Sequence, residues 1–416
     1  MEMMPGYMRT DVGVIPNSWS VKTIGQITTC TAGGTPSTKI STYWGGSIPW
    51  MSSGELNLKY VDDVLERITK EGLTNSSTKL IPENCVLVGL AGQGKTRGTV
   101  AINLIPLCTN QSIAAILPSE SFISTYLYFN LDSRYHELRN LSSGGGGRGG
   151  LNLRIIKSMQ VPLPPLDEQL RIAQTLTDLD NLLFALDKNI VKKRDVKHAA
   201  MQQLLTGKAR LPGFDKTWET FRLGQVSTMG SGGTPLSSEA SYYGGDIPWV
   251  AISDMTNTSK LIWSTSKNLS KKGLSNSSAQ IFPAGTVLYA MYASLGECSI
   301  AGVPLCTSQA ILGIQPNKTL SNEFLYYYLT SLKTKVKTIG QQGTQSNLNK
   351  GMVQAFSINL PPIDEQIAIA NVLSDMDEEI LKLEKRRNKT KDLKQAMMQE
   401  LLTGNTRLIN EGLSNA

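Results

Sequence analysis

"LPPLDEQLRIAQTLTDLDNLLFALDKNIV" occupies residues 163–191, and "LPPIDEQIAIANVLSDMDEEILKLEKRRN" occupies residues 360–388. Each stretch opens with paired prolines and two acidic residues, a composition typical of the first turn of a helix. Each continues to an "LLTG", in which the glycine (Gly207 in the first copy) is placed as a C-terminal stop. The sequence therefore predicts two helices of about 40 residues, each roughly 60 Å long at about 1.5 Å per residue.

Both predicted helices carry large apolar residues at alternating spacings of four and three. Such a stripe on one helix more often packs on a domain core. Two stripes in one chain, both with basic flanks, favour packing of the helices on each other, so we predict an antiparallel pair joined along a heptad seam. The seam residues are Ile172, Leu176, Leu179, Leu183, Leu186 and Ile190 in the first helix and Ile369, Leu373, Met376, Ile380 and Leu383 in the second.

The rest of the chain also contains an internal repeat, with an offset of about 200 residues between the two copies. The repeated segments keep the same order along both copies. They include "GGTP" (33–36 and 232–235), "YWGGSIPW" and "YYGGDIPW" (43–50 and 242–249), and "PLCTNQ" and "PLCTSQ" (106–111 and 304–309). "LLTGNTRL" (401–408) would also run naturally into "VIPNSW" (14–19), as in a ring opened at the chain terminus.

The part of each copy before the helix is rich in short apolar runs bounded by turn residues, which predicts β-strands. We therefore predict an α+β fold: two similar β-rich globular domains separated by two long antiparallel helices, with a pseudo-twofold internal repeat. The predicted boundaries are 1–160 for the first domain, 161–210 for the first spacer helix, 211–358 for the second domain, and 359–416 for the second helix and C-terminal tail.

Composition narrows the class of protein. The chain lacks an apolar run near the roughly 20 residues that a membrane span needs, and it has no signal peptide, so we expect a cytoplasmic protein without membrane contact. Five cysteines without C-x-x-C spacing argue against a disulfide framework or a zinc ribbon, and two isolated histidines give no metal site. A net charge of +7 permits a nucleic-acid partner without requiring one.

"GLAGQGKT" (89–96) matches the phosphate-loop pattern G-x-x-x-x-G-K-[ST]. A phosphate loop must lead into a helix, whereas "RGTVAINLIP" reads as a strand, and the second copy lacks the lysine. We predict a glycine-rich connection between two strands. Two alternatives stay open: a nucleotide hydrolase that uses Lys95, and a coiled-coil adaptor without a DNA role.

Two β-rich domains alternating with two long helices, which begin at "LPPLDEQ" and "LPPIDEQ" and end at "LLTG", strongly resemble the specificity (S) subunit of type I restriction-modification systems. The likeness covers nearly the whole chain. It implies two target recognition domains, each reading one half of a bipartite double-stranded DNA site. Because the two domains differ in sequence, the site should be asymmetric.

The resemblance also implies a division of labour among subunits. The helices would fix the distance between the recognition domains and dock two methyltransferase (M) subunits. Those subunits would carry S-adenosylmethionine and the catalytic residues, and restriction (R) subunits would join for ATP- and Mg²⁺-dependent translocation and cleavage. We therefore expect no catalytic residue, no metal and no cofactor in this chain.

Base reading would use loop side chains with donors and acceptors for base edges. We predict such residues where the two copies differ. The candidates are Lys95, Arg97 and Arg148 in the first domain and Tyr292, Gln341, Gln342 and Gln345 in the second.

The loop at Lys95 gives a first prediction. Lys95→Ala should leave ATP hydrolysis by the assembled complex unchanged, because the loop lacks the helix and the acidic partner of a phosphate loop. Steady-state ATPase assays measure this, and loss of ATP binding by the isolated chain on this substitution would restore the hydrolase alternative.

Overall fold

The computed structural model describes residues 5–92, 96–141, 150–257, 260–336 and 347–409. The chain divides into two compact units: the first comprises Met1–Leu186 and Arg386–Ala416, and the second comprises Asp187–Lys385. Each unit combines one β-rich domain with part of each long helix. The predicted α+β class, with repeated β-rich domains and two long helices, is confirmed.

The first unit holds thirteen strands in its described part. They are β1 (Tyr7–Thr10), β2 (Gly13–Pro16), β3 (Ser20–Thr23), β4 (Cys30–Ala32), β5 (Trp44–Met51), β6 (Tyr60–Val61), β7 (Glu66–Ile68), β8 (Leu80–Ile81), β9 (Val86–Gly89), β10 (Val100–Asn103), β11 (Leu107–Thr109), β12 (Ile113–Ile116) and β13 (Gln160–Leu163). The helices are α1 (Ile24–Ile27), α2 (Lys70–Thr74), α3 (Ser124–Ser133), α4 (Tyr135–Leu141), α5 (Leu153–Ser158) and the first long helix, α6 (Leu166–Leu204), with 3-10 turns at Ser41–Tyr43 and Ser53–Leu58. Two larger sheets have the strand orders β4-β12-β9-β10-β6 and β7-β5-β11-β8.

The second unit repeats this plan. Its described strands are β14 (Glu219–Arg222), β15 (Ser227–Ser231), β16 (Tyr243–Val250), β17 (Leu261–Ile262), β18 (Lys267–Leu269), β19 (Val287–Ala290), β20 (Cys298–Ala301), β21 (Cys306–Thr307), β22 (Ile311–Pro316) and β23 (Ser357–Leu360). Its helices are α7 (Leu223–Val226), α8 (Ile252–Asn257), α9 (Lys271–Ser275), α10 (Asn322–Ser331), α11 (Lys350–Gln354) and the second long helix, α12 (Ile363–Leu401), with a 3-10 turn at Ala240–Tyr242. The order β15-β22-β19-β20-β17 matches that of the first unit strand for strand, and β18-β16-β21 matches β7-β5-β11, with no counterpart of β8 among the described strands.

The five-stranded sheet is the centre of each domain. Side chains alternate between its faces, and along β9 Val86 and Val88 belong to one apolar cluster while Leu87 belongs to another. All four residues of β9 are buried, as are those of its counterpart β19. Burial on both faces explains why these strands read as continuous apolar runs instead of alternating ones.

The repeated "GGTP" turn packs against β11 in the first unit and against β21 in the second. A Cβ on Gly33 would lie 2.0 Å from the carbonyl oxygen of Thr109, and one on Gly232 would lie 2.2 Å from Oγ1 of Thr307, so neither position accepts a side chain. The Trp50 indole donates to the Gly34 carbonyl at 2.9 Å, and Trp249 makes the same bond to Gly233. The duplicated tryptophans therefore hold this turn.

The long helices are antiparallel within each unit. In the first unit, Lys394 pairs with Asp180 at 2.5 Å, while nearer the start of the first long helix Ile172 shares a core with Leu401. In the second unit, Lys197 pairs with Asp377, and Met201 shares a core with Ile369. Every residue of the predicted seam is buried or half-buried. Both helices end shortly before a glycine with positive φ, Gly207 (+70°) or Gly404 (+74°).

Each long helix begins with a buried carboxylate in a three-residue contact that we call the clamp. In the first unit, Arg407 donates from Nε and Nη2 to both oxygens of Glu168 at 2.7 Å, and Nε1 of Trp19 donates to the same carboxylate at 3.0 Å. In the second unit, Arg210 and Trp218 hold Glu365 in the same way. Hydrogen bonding to Glu168 raises the pKa of Arg407. The clamp fixes the end of one long helix to the start of the other.

None of the helices in the described part of the chain combines the length and the apolar character that crossing a bilayer requires.

The clamp predicts the effect of a single substitution. Arg407→Met should lower the free energy of unfolding by about 3 kcal/mol, because the Glu168 carboxylate, 1% exposed, loses its cation without regaining water. Urea unfolding followed by tryptophan fluorescence measures the loss. Adding Glu168→Gln should recover part of the stability, and Arg9→Met, at an exposed arginine of the same unit, is the control. Parental stability in Arg407→Met would contradict this role of the clamp.

Candidate nucleic-acid interface

Several loops of the first unit meet at one end of its five-stranded sheet. Strands β9 and β10 are antiparallel, so the connection between them lies at this end. Strand β6 runs parallel to β10, which places the residues before β6 at the same end, and the turn before β12 joins them because Ile113 pairs with Gly89. We call this region the hairpin end. It comprises residues 52–59, 90–92, 96–99 and 109–112.

The second unit has an equivalent hairpin end. Its hairpin joins the antiparallel strands β19 and β20, and β17 runs parallel to β20. The Met291 N–H donates to the Ala310 carbonyl at 2.8 Å, as Leu90 donates to Ser112 at 2.8 Å in the first unit. The same backbone bond therefore ties the hairpin to the neighbouring turn in both units. In the second unit the hairpin end comprises residues 251–257, 291–297 and 307–310.

The phosphate-loop match lies in the first hairpin. Strand β9 ends at Gly89, and after the match the chain enters strand β10, which pairs antiparallel with β9. Gly98, with φ of +79°, makes the turn into that strand, and its N–H donates to the Gly89 carbonyl at 2.9 Å. Among the described residues, 96–103 form a turn and a strand and no helix, so the helix N-terminus that cradles phosphates is missing there. The predicted strand-to-strand connection is confirmed, and the hydrolase alternative has no geometric support.

Two of the seven predicted DNA-contacting residues fall within the described residues, and both lie at a hairpin end. Arg97 lies in the first hairpin and Tyr292 in the second, and each side chain is half-buried. Tyr292 packs against the core of its unit. The other five lie outside the described residues: Lys95, Arg148, Gln341, Gln342 and Gln345. A DNA contact of any of the seven stays a prediction.

Residues 142–149 and 337–346 lie outside the described part of the chain. The residues that follow each of these segments lie at the hairpin ends. A Cβ on Gly150 would approach the Leu90 carbonyl oxygen to 3.4 Å. In the second unit, the Leu348 N–H donates to the Met291 carbonyl at 3.0 Å. The chain is therefore at the hairpin end directly after the segment with Arg148 and directly after the segment with the three glutamines.

The hairpin ends also carry a polar residue that sequence analysis did not select. Gln111 is exposed beside the first hairpin, where its amide oxygen accepts from Oγ1 of Thr35 at 2.6 Å. Gln309, its counterpart at the end of "PLCTSQ", is exposed as well. The signal available in the sequence is the glutamine that ends both repeated segments, "PLCTNQ" and "PLCTSQ". The predicted contact residues lie where the two copies differ, whereas this position holds glutamine in both copies.

The cysteine side chains of the described residues are buried and weakly reactive. Burial raises the pKa of the Cys85 thiol to about 12 and that of Cys30 to about 11, so both thiols are protonated and poor nucleophiles near neutral pH. All five cysteines are buried and outside any disulfide. Across the described ranges, no group of three or more His, Cys, Asp or Glu side chains could hold a metal ion.

Sequence comparison adds the family. The profile described as type I restriction modification DNA specificity domain matches this chain twice, at residues 16–193 and 215–391. The chain is 25% identical over 423 residues to the type I restriction enzyme MjaIX specificity subunit of Methanocaldococcus jannaschii, covering 97% of this chain and 96% of the relative. It is 31% identical over 180 residues to the EcoR124I/EcoR124II specificity subunit of Escherichia coli, covering 42% of this chain and 44% of the relative.

Solved structures share the fold. A chain from a study of assembly and conformational transition in a type I R-M system superposes with a TM-score of 0.61 at 20% identity, covering 94% of this chain and 99% of that one. The S subunit from M. genitalium superposes with a TM-score of 0.60 at 16% identity, covering 96% and 99%. With two profile matches that together cover most of the chain, and a relative aligned over 96% of its length, the chain belongs to the type I restriction-modification DNA specificity family.

Proposed function

We propose that each unit reads one half of a bipartite, asymmetric DNA site through its hairpin end, and that the chain itself is non-catalytic. The observation that carries the proposal is the repeated hairpin end: the same strands and backbone bonds present loops of different sequence in the two units. A shared scaffold with different loops suits two related readers of two different half-sites. Arg and Gln side chains suit base edges in the major groove, and Lys suits phosphates.

The proposed contacts are those predicted from the sequence. Lys95, Arg97 and Arg148 would serve the first half-site, and Tyr292, Gln341, Gln342 and Gln345 the second. Phosphate contacts would set orientation and supply much of the affinity, which should fall steeply as salt rises. Contacts to base edges would supply the discrimination between sequences.

Selection from a random duplex library tests this proposal. The complex of this chain with its methyltransferase subunit should enrich two short sequences, different from each other, separated by a gap of unconstrained bases. Enrichment of nothing, with equal affinity for all duplexes, would favour the coiled-coil adaptor and contradict sequence reading.

We propose further that the long helices dock two methyltransferase subunits, one per unit. The support is a set of exposed apolar side chains at equivalent positions of the two long helices. The pairs are Leu166 and Ile363, Leu170 and Ile367, Phe184 and Leu381, and Val196 and Leu393. Each unit contains one member of every pair. Exposed apolar residues that recur at the same four positions are suited to two copies of one partner.

The remaining activities would belong to the partners. S-adenosylmethionine would bind to the methyltransferase subunits, and ATP with Mg²⁺ to restriction subunits recruited through them. The proposed place of action is the cytoplasm, where the DNA lies. No residue of this chain would then take part in methyl transfer or cleavage.

The docking proposal predicts stoichiometry. Phe184 is 72% exposed and Leu381 44% exposed, so replacing either by Asp should spare the fold while placing a charge in an apolar interface. Each single variant should bind one methyltransferase subunit in place of two, and the double variant none, as measured by native mass spectrometry.

Val191→Asp is the matched control for these variants. Val191 is exposed on the same helix as Phe184, but its counterpart Asn388 is polar, so it belongs to no repeated pair. It should leave two subunits bound. Full occupancy in the Phe184 and Leu381 variants would overturn the docking proposal.

A further inference from the structure

We infer that each unit has a second DNA-reading segment beside its hairpin, a loop closed at its base by a carboxylate. We call it the pinned loop: residues 52–65 in the first unit and 251–257 with 260–266 in the second. The inference rests on the proposed function and deepens it, because it assigns base recognition to residues that neither the sequence analysis nor the family match selected.

Topology puts the pinned loop at the hairpin end. In the first unit the loop begins after β5 and its first half precedes β6, which is parallel to β10. Leu56 lies under the loop against the hairpin, where its Cδ1 would be 3.0 Å from a Cβ on Gly89. In the second unit the corresponding half precedes β17, which is parallel to β20. Any duplex that contacts the hairpin therefore has this loop as its neighbour.

A carboxylate closes each pinned loop. Glu55 accepts from the Ser52 N–H at 2.8 Å and from the Leu65 N–H at 2.9 Å, which joins the two ends of the first loop. Asp254 accepts from the Ala251 N–H at 2.8 Å and from the Ser266 N–H at 3.0 Å in the second. A buried apolar residue, Leu56 or Met255, follows each carboxylate. These contacts hold the backbone, so the exposed residues are presented from a fixed base.

The exposed residues of the two pinned loops differ, although the carboxylates and the buried apolar residues that follow them correspond. The first loop forms a 3-10 turn over "SGELNL" and the second an α-helical turn over "ISDMTN". Exposed polar side chains include Asn57 in the first loop and Ser253, Thr256 and Asn257 in the second. A connection that served only the fold would need the carboxylate and the apolar residue, and these are the features that both loops keep. Different polar residues on a common base suit two half-sites of different sequence.

Asn57 shows how the reading could work chemically. One amide N–H donates to the Gly54 carbonyl at 2.9 Å. Within the described residues, the second N–H and the amide oxygen make no other hydrogen bond. A donor and an acceptor side by side match N7 and the N6 amino group of adenine in the major groove. The proposed occupant of this surface is a DNA base edge, with adenine as the preferred partner of Asn57; the exposed amide of Asn257 offers the same pair of groups in the second loop.

The test uses the full chain in complex with its methyltransferase subunit and a panel of duplexes in which each base pair of the selected site is changed singly. Asn57→Ala should lower affinity for the parental site about 5- to 150-fold and abolish discrimination at one or two positions of one half-site. Asn257→Ala should do the same in the other half-site only. Glu120→Ala with Ser121→Ala, exposed after β12 at the opposite end of the first sheet, is the control and should change nothing.

Two isosteric variants distinguish a loss of base recognition from a folding defect. Asn57→Asp and Asn257→Asp keep the side-chain size and remove the donor, so preference at the affected position should move from adenine towards cytosine. Unchanged discrimination in all four variants would overturn the inference and leave the proposed function intact. An equal loss of affinity for every duplex would also overturn it, because phosphate contact alone explains that result. A parental complex without sequence preference would refute the proposed function and the inference together.

Discussion

The structure depends on the buried carboxylate at the start of each long helix. Glu168 and Glu365 are removed from water, and a carboxylate there is tolerated only if a cation and further donors satisfy it. Arg407 supplies the cation for Glu168 across 239 positions of sequence, so the end of the chain must return to the first unit. Arg210 does the same for Glu365 from the end of the first long helix. The two charge pairs thus hold the end of one long helix near the start of the other in each unit.

This arrangement explains how one chain presents two related surfaces. Each clamp fixes a helix start against its domain, and the neighbouring glutamine extends the attachment: the amide oxygen of Gln169 accepts from the Ile123 N–H at 2.9 Å, and that of Gln366 from the Ser321 N–H at 2.8 Å. The repeated "DEQ" is therefore a joint between helix and domain. With the scaffold fixed by the joint and by the tryptophan-held turns, the loops at the hairpin ends are free to differ. That freedom is what two unlike half-sites require.

Local patterns in the sequence are enough to predict the long helices and the buried strands and to argue against a phosphate loop. These features depend on periodicity and turn residues, which involve only a few neighbouring positions. From local sequence, Glu168 has the position of an ordinary first-turn residue, since nothing local reveals that Arg407 covers it. The pinned loops were missed for a related reason: Glu55 and Leu65 are joined by a hydrogen bond ten positions apart, and Asp254 does the same job with a different residue. Gln111 was passed over because a repeated residue looks structural when exposure is unknown. Long-range pairing and solvent exposure are the properties that periodicity does not encode.

In the proposed function, the two units read two different sequences on one DNA molecule. Methylation-sensitive sequencing of a host that expresses this chain with its methyltransferase subunit tests it most directly, because the modified bases report every site that the complex recognises. The expected result is one motif with two unlike half-sites and an unspecified gap of constant length. A continuous motif, a palindrome with two identical halves, or modification without any motif would contradict it.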